Sequence, residues 1–416
     1  MSYSKDSNDI KCNINDSFIA FVNTAYLFSV LLFPQLIKYS SLAFLAFSVM
    51  YCMIKNIRFK FNTSVLLWIS YIIFSCIISI FSPYVSINNL IETVVGFSIS
   101  LYVCMIEYSL KSCLNQIKGL HILSLVVLIG ACLQVVSPEF ICNFNRLHFD
   151  DYKYNMFYYS FFKGGYLTGF SFQTAITAYY CSIFVAINAC YYFTFGSTLN
   201  TIKKVLLICI SMLALIVIFF TSKRSFILYS IIIVLFLCYF YYKKHIIKII
   251  SYTLIICGSI YYLLINTEAG QRMIDRSQGE SLTTNRSDLV YRMLSFFNNK
   301  PLTGNGLSST LLLIPDFTNG HNIYVQILCE TGLIGFIILI PFFIKSLFLT
   351  FKQLKLSTTN NSKYIYSSCL CIQMLFLMWG FTGNPLYDVY PLFVYMISVA
   401  IVWSMQEYTL KEKEKP

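Results

Sequence analysis

The sequence predicts an all-α, polytopic membrane protein of about twelve transmembrane helices, and three observations predict it. The 416-residue chain is 57% hydrophobic and 12% charged, with mean hydropathy +0.68, where soluble domains carry about 25% charged residues. Its apolar residues fall in long runs, near 18–37, 40–54, 64–82, 89–106, 119–137, 165–195, 204–220, 225–242, 246–265, 323–344, 364–382 and 388–405. Runs of this length, without turn residues every ten or so positions, are helices and not barrel strands. Finally, alternate connections between the runs are rich in lysine, the asymmetry that the positive-inside rule imposes.

The first run follows Lys5 and Lys11. It is too long for the apolar core of a signal peptide and lacks a small-residue cleavage site, so it reads as a retained first helix. With the N-terminus inside, the inner connections carry Lys55, Arg58, Lys60, Lys111, Lys118, Lys203, Lys204, Lys243, Lys244, Lys352, Lys355 and Lys363. Every short inner loop is then basic, and a chain with both termini inside follows, a single transmembrane domain over residues 1–416. The fifteen cysteines lie mostly within spans, where cysteine behaves as a small apolar residue. Cys369 and Cys371 lack the spacing of a zinc knuckle and diverge on a helix, so they too read as structural.

The outer connections differ in kind. They hold Arg146, Arg224, Arg272, Arg276, Arg286 and Arg292, whereas the inner set holds Arg58 alone. Topology selects for positive charge of either type, but only arginine presents a planar fork of donors matched to phosphate oxygens. The bias therefore points to an anionic ligand at the outer face. Two outer loops also exceed what a turn requires. The first, 138–164, contains Arg146, His148, Asp150, Asp151 and the aromatics Tyr152, Tyr154, Phe157, Tyr158 and Tyr159. The second, 266–320, contains a predicted amphipathic helix, with Ser287-Asp288 at its N-cap and Val290, Met293, Leu294 and Phe297 at helical spacing. Asn298-Asn299 and Pro301 end that helix, which places Arg286 at its start and Arg292 along its flank.

Just beyond it stand Gly304-Asn305-Gly306, then His321-Asn322, nine residues, Gly332, two more residues and Gly335. His321 thus falls at the mouth of a span, in a chain with only four histidines. On an ideal helix, Gly332 returns to within about 20° of His321 and Gly335 lies about 40° to its other side. That face lets a neighbouring helix pack closely, as small residues do in membranes. Glu330 lies deep in the same run, where an acid marks either a buried hydrogen-bond partner or a proton-linked role. Thr221-Ser222-Lys223-Arg224 forms an outer turn whose two cations oppose the lysine bias and suit a diphosphate at the membrane surface.

Other chemistries leave no trace. No G-x-x-x-x-G-K-[ST] loop, D-x-D, H-E-x-x-H or G-x-S-x-G occurs. No metal, cofactor or nucleic-acid partner is expected, and any substrate arrives at the outer face already activated and lipid-borne.

Arg286, Pro301-x-x-Gly304-x-Gly306, His321-Asn322-x9-Gly332-x-x-Gly335 and Ser222-x-Arg224 in an outer turn together resemble the O-antigen polymerase/O-antigen ligase superfamily. The resemblance covers about 220–345 by motif, and the rest by helix count and the two outer loops. It implies a C-type (GT-C-like) membrane glycosyltransferase fold in a bacterial inner membrane, with both large loops and the active site periplasmic. The implied donor and acceptor are glycans on undecaprenyl diphosphate, with a chain-length regulator as a further partner in the bilayer. Many relatives carry an arginine shortly before a Gly-aromatic pair entering the middle helix. The stretch Lys163-Gly164-Gly165-Tyr166-Leu167-Thr168-Gly169-Phe170 has only Lys163, so either Lys163 or Arg146 supplies that contact.

In the reaction so implied, Arg224 and Arg286 stabilise charge growing on the departing diphosphate. His321 serves as general base for the acceptor hydroxyl. Asn322, Lys223, Lys163, Arg146, Arg292, Gly304 and Gly306 fall to substrate binding. The expected activity is polymerisation of lipid-linked repeat units. Ligation of the finished glycan to lipid A-core is the close alternative. A lipid-linked glycan transporter is the alternative of another class, since transporters place charges within their spans, as Glu330 and Glu92 are placed here.

Overall fold

A computed structural model describes residues 7–33, 37–55, 59–149, 151–158, 164–242, 286–314 and 321–413, with isolated positions between 251 and 274. Fifteen helices are named here in chain order. α1 (Ser7–Leu32), α2 (Ile37–Ile54), α3 (Thr63–Ile80), α4 (Ile87–Met105) and α5 (Leu110–Val136) open the chain. The first outer loop folds as α6 (Pro138–His148) and α7 (Asp151–Tyr158). α8 (Thr174–Phe195), α9 (Thr201–Phe220) and α10 (Arg224–Tyr241) follow. α11 (Arg286–Asn299) and the short α12 (Thr310–Leu313) precede α13 (Ile323–Leu356), α14 (Asn360–Gly380) and α15 (Val389–Lys413). Among the described residues the only β pairing is one bridge, Phe59 to Ile106.

Eight of these helices are long and apolar enough to cross a membrane: α3, α4, α5, α8, α9, α10, α13 and α15. α1 and α2 contribute shorter apolar stretches, Phe18–Leu32 and Tyr39–Ile54. The expected span at 246–265 lies largely outside the described residues. The eight are counted among the described residues, so they meet the twelve expected spans in part.

The packing forms two adjoining cores that share a wall. One joins α1, α2, α5, α8, α9 and α10, the other is built on α3, and α4, α13, α14 and α15 contribute residues to both. Apolar area drives helices together weakly in lipid, so close approach and interhelical hydrogen bonds carry the association. A Cβ on Gly119 of α5 would lie 2.2 Å from the Thr24 hydroxyl of α1. Between helices, the Asn188 amide of α8 donates to Ser211 of α9 at 3.1 Å, and Thr350 of α13 donates to Gln373 of α14 at 2.9 Å.

Two expected spans are corrected. The run 165–195 is not one helix: α8 begins at Thr174, and residues 164–173 form an irregular segment with a 3-10 turn at Gly169–Ser171. Gln134 at the end of α5 holds that segment. Its amide donates to the Tyr166 carbonyl (3.1 Å), and its oxygen accepts from Thr168 N (2.9 Å) and Gly169 N (2.6 Å). Gly169 takes φ +53, and a Cβ there would lie 2.6 Å from Ala131 N, so only glycine lets the segment approach so closely.

The second correction concerns α13. Gly332 has φ 64 and ψ −167, a backbone region essentially restricted to glycine. The Tyr324 hydroxyl donates to Leu377 O at 2.9 Å, and the Phe343 ring lies 6.0 Å from Phe376. Those two α13 residues are nineteen apart and would stand about 28 Å apart on a straight helix, yet they reach adjacent residues of α14. α13 is therefore a V, with a short first limb folded back on a long second limb at Gly332. The ideal-helix face shared by His321, Gly332 and Gly335 does not exist, because the helix is interrupted at one of its three members.

Candidate active site

The apex of that V organises one end of the molecule. A broken helix strands carbonyls before the break and N–H groups after it, and in a membrane these need partners. The segment after α11 supplies four of them. Asn305 N and Gly306 N donate to the carbonyls of Cys329 (3.0 Å) and Glu330 (2.8 Å), while Leu333 N and Ile334 N donate to the carbonyls of Pro301 (2.9 Å) and Leu302 (3.2 Å). Gly304 and Gly306 take φ +71 and +99; a Cβ on Gly304 would lie 2.5 Å from the Glu330 carbonyl, and one on Gly332 2.3 Å from the Leu302 carbonyl. Gly304 and Gly306, expected at the substrate, are buried in this junction. Their spacing marks the strap across the broken helix.

α11 is tied to the same junction. The Asn305 amide donates to Phe296 O (3.2 Å) and Cys329 O (3.1 Å), and Leu289 and Met293 pack against Cys329 and Ile314. The helix begins at Arg286, one residue before the predicted cap, so Asp288 falls in its first turn, where a negative charge suits the helix dipole. Arg286 thus stands at the start of a helix strapped to the first limb of α13, with Arg292 exposed along it.

His321 is exposed and directly precedes that limb. Asn322 is its N-cap: its side-chain oxygen accepts from Tyr324 N (3.0 Å) and Val325 N (3.2 Å). The oxygen of Asn322, a residue expected at the substrate, is thus engaged in starting the helix that follows His321. The limb then meets the turn 381–388. The Tyr324 ring lies 4.6 Å from Phe381, and a Cβ on Gly380 would lie 2.8 Å from Ile323.

α10 meets the same turn. The Tyr229 and Thr382 hydroxyls bond at 2.8 Å, and the Phe226 ring lies 5.1 Å from Trp379. Arg224 is exposed in the first turn of α10, two residues before Phe226 and five before Tyr229, which make these contacts. Lys223 is the N-cap residue of α10, and the preceding Ser222 takes φ +58. The irregular segment after Lys163 reaches this corner, since Leu167 N donates to Phe220 O at 3.1 Å. Lys163 itself lies outside the described residues. Arg146 lies over Tyr154 at 5.9 Å, and α6 packs on α5, α7 and the 164–173 segment. The described contacts leave Arg146 with the first outer loop.

One residue here escaped the sequence reading. Asp388 closes the 381–388 turn, partly exposed, accepting from Tyr390 N at 3.2 Å. Burial raises its carboxyl from the ordinary 3.8 to about 7. Tyr179, Tyr180 and Tyr390 lie within range of its charge. The available signal was its place between two apolar runs, at the mouth of the last span, where an acid is rare.

Among the described residues no cluster of histidine, cysteine, aspartate and glutamate is arranged to hold a metal ion. The fold and this end of it define a multi-pass membrane protein in which α10, begun by Arg224, and the limb that follows His321 both pack on the turn that ends in Asp388. Residues 209–340, from within α9 to the second limb of α13, match the family model described as O-antigen ligase. The match encloses Arg224, Arg286, His321 and Gly332 and is consistent with the O-antigen polymerase/ligase superfamily of glycosyltransferase-like membrane enzymes. No curated protein matches the chain.

Proposed function

We propose that this protein is a polysaccharide polymerase of the O-antigen type, joining undecaprenyl-diphosphate-linked repeat units at the periplasmic face of the inner membrane. The observation that supports the reading is that α10, which Arg224 begins, and the limb that follows His321 pack on one turn, both starting within the region matched by the family model. An acceptor hydroxyl oxygen attacks the anomeric carbon of the donor glycan. The bond from that carbon to the diphosphate oxygen breaks, its electron pair leaves with the diphosphate, and the hydroxyl proton passes to His321. Arg224 and Arg286 are assigned to the leaving group, where two guanidiniums stabilise growing charge. General-base help of this kind contributes about 10²–10⁴-fold.

Further support comes from a cleft of about 410 Å³ lined by Tyr324, Ile340, Phe343, Leu347, Phe351 and Met374, with Phe236 of α10 on its wall. The cleft begins three residues after His321 and is apolar, as the tail of a lipid-linked donor requires. The second reading, transfer of finished glycan to lipid A-core, is favoured by the description of the matched family as O-antigen ligase. The site is the same and only the acceptor differs.

The test is the lipopolysaccharide ladder of a strain lacking the gene, complemented with wild type or His321→Ala. A polymerase leaves a single repeat on the core when disabled, and His321→Ala reproduces that pattern. Bare core with lipid-linked polymer accumulating identifies a ligase. A normal ladder from His321→Ala removes the catalytic assignment.

A further inference from the structure

Glu330 is fully buried, in a helix limb where an acid is costly. Its four hydrogen-bond partners are all neutral donors drawn from three segments. Oε1 accepts from the Thr310 hydroxyl (2.7 Å) and the Gln326 amide (2.8 Å). Oε2 accepts from Ser308 N (2.9 Å) and the Tyr387 hydroxyl. Ser308 and Thr310 continue the strap that holds α11. Gln326 lies one turn earlier on the limb that begins at His321 and Asn322. Tyr387 is the neighbour of Asp388.

A second bond runs parallel to the first bridge, since the Asn384 amide donates to the Gln326 oxygen at 2.8 Å. Two bridges between the His321 limb and the Asp388 turn fix an angle as well as a contact. Apolar packing would join these elements without the desolvation cost of an acid, and buried ionic groups are often replaceable by apolar ones without loss of stability. A carboxylate differs in offering about four acceptor sites in one plane, and here four donors take them.

We propose that Glu330 is a positioning residue for glycosyl transfer, holding the His321 limb, the Asp388 turn and the α11 strap at one mutual separation. The proposal rests on the polymerase reading for its kinetic consequence, but its geometric content stands apart from it. Glutamine at 330 keeps the size and loses the pattern, because its amide N–H groups would face either the Ser308 N–H, which cannot accept, or the Gln326 amide, whose oxygen is already engaged by Asn384.

The experiment uses the full-length protein in nanodiscs, wild type and Glu330→Gln, with two readouts. In a background lacking reactive cysteines, spin labels at Leu312→Cys on the strap and Phe381→Cys on the turn report their separation. Glu330→Gln is expected to broaden that distance distribution. With a lipid-diphosphate-linked repeat unit as substrate, kcat per folded molecule is expected to fall about 10–100-fold while KM changes less than about threefold, since misplacement near 1 Å costs about 10²-fold. Tyr387→Phe, which removes one of the four bonds, is expected to fall between. An unchanged distance distribution, or full kcat per folded molecule, overturns the proposal. Wild type that forms no polymer rejects the polymerase reading, and the distance measurement then decides the positioning role by itself.

Discussion

At the scale of single residues, Asp388 and Asn322 show how little a side chain's type says about its role. Asn322, expected at the substrate, also caps a helix through its side-chain oxygen, while Asp388, which no motif marks, closes the turn that this helix limb meets. Burial lifts its carboxyl to about 7 from 3.8, so the folded protein binds this proton more tightly than the unfolded chain does. Stability from the neutral form is complete below about pH 4 and is lost as pH rises through about 7. The thermal midpoint of the wild type is expected to fall between pH 5 and pH 8, and Asp388→Asn to flatten that fall. Differential scanning fluorimetry in detergent measures both; an equal slope in the variant rejects the account.

At the scale of elements, the broken α13 and its strap are one unit. Four backbone bonds close the apex, and the positive φ of Gly332 and Gly304 permits the approach. Gly332→Ala meets both a strained backbone and a Cβ clash with Leu302, together above about 2 kcal/mol. The expected result is a lower melting temperature and lost polymer, with the unstrained Gly258→Ala, where a Cβ meets nothing within 4 Å, as the silent control. The segment 164–173 follows the same logic, with Gln134 satisfying its irregular backbone from the end of α5.

At the scale of the whole molecule, helices that run back and forth gather their connections at two ends. The end bearing His321 collects the turns 221–223, 301–310 and 381–388. At the other, Lys60 pairs with Glu107 at 3.3 Å and Tyr108 N bonds Ser404. The connection 196–200, followed by Lys203 and Lys204 in the first turn of α9, belongs with the latter. A membrane-impermeant maleimide applied to intact cells is therefore expected to label Asn299→Cys, and Thr198→Cys only after permeabilisation. Labelling of Thr198→Cys in intact cells reverses the proposed orientation.

The apolar runs and the lysine bias determined from sequence alone that the chain is helical and membrane-embedded, because the bilayer restricts what can cross it and charge restricts which connections do. The spacing of Arg224, Arg286, His321 and Gly332 likewise marked the region that matches the O-antigen ligase family model. Periodicity assumes an unbroken helix, however, so it could not find the break at Gly332, where a local positive φ is stabilised by a strap from thirty residues earlier. Nor could it find Asp388 or the role of Glu330. Both depend on which distant segments share a depth in the bundle, and only tertiary packing decides that, since the partners of a buried carboxylate are fixed by proximity in space and leave no period in the chain.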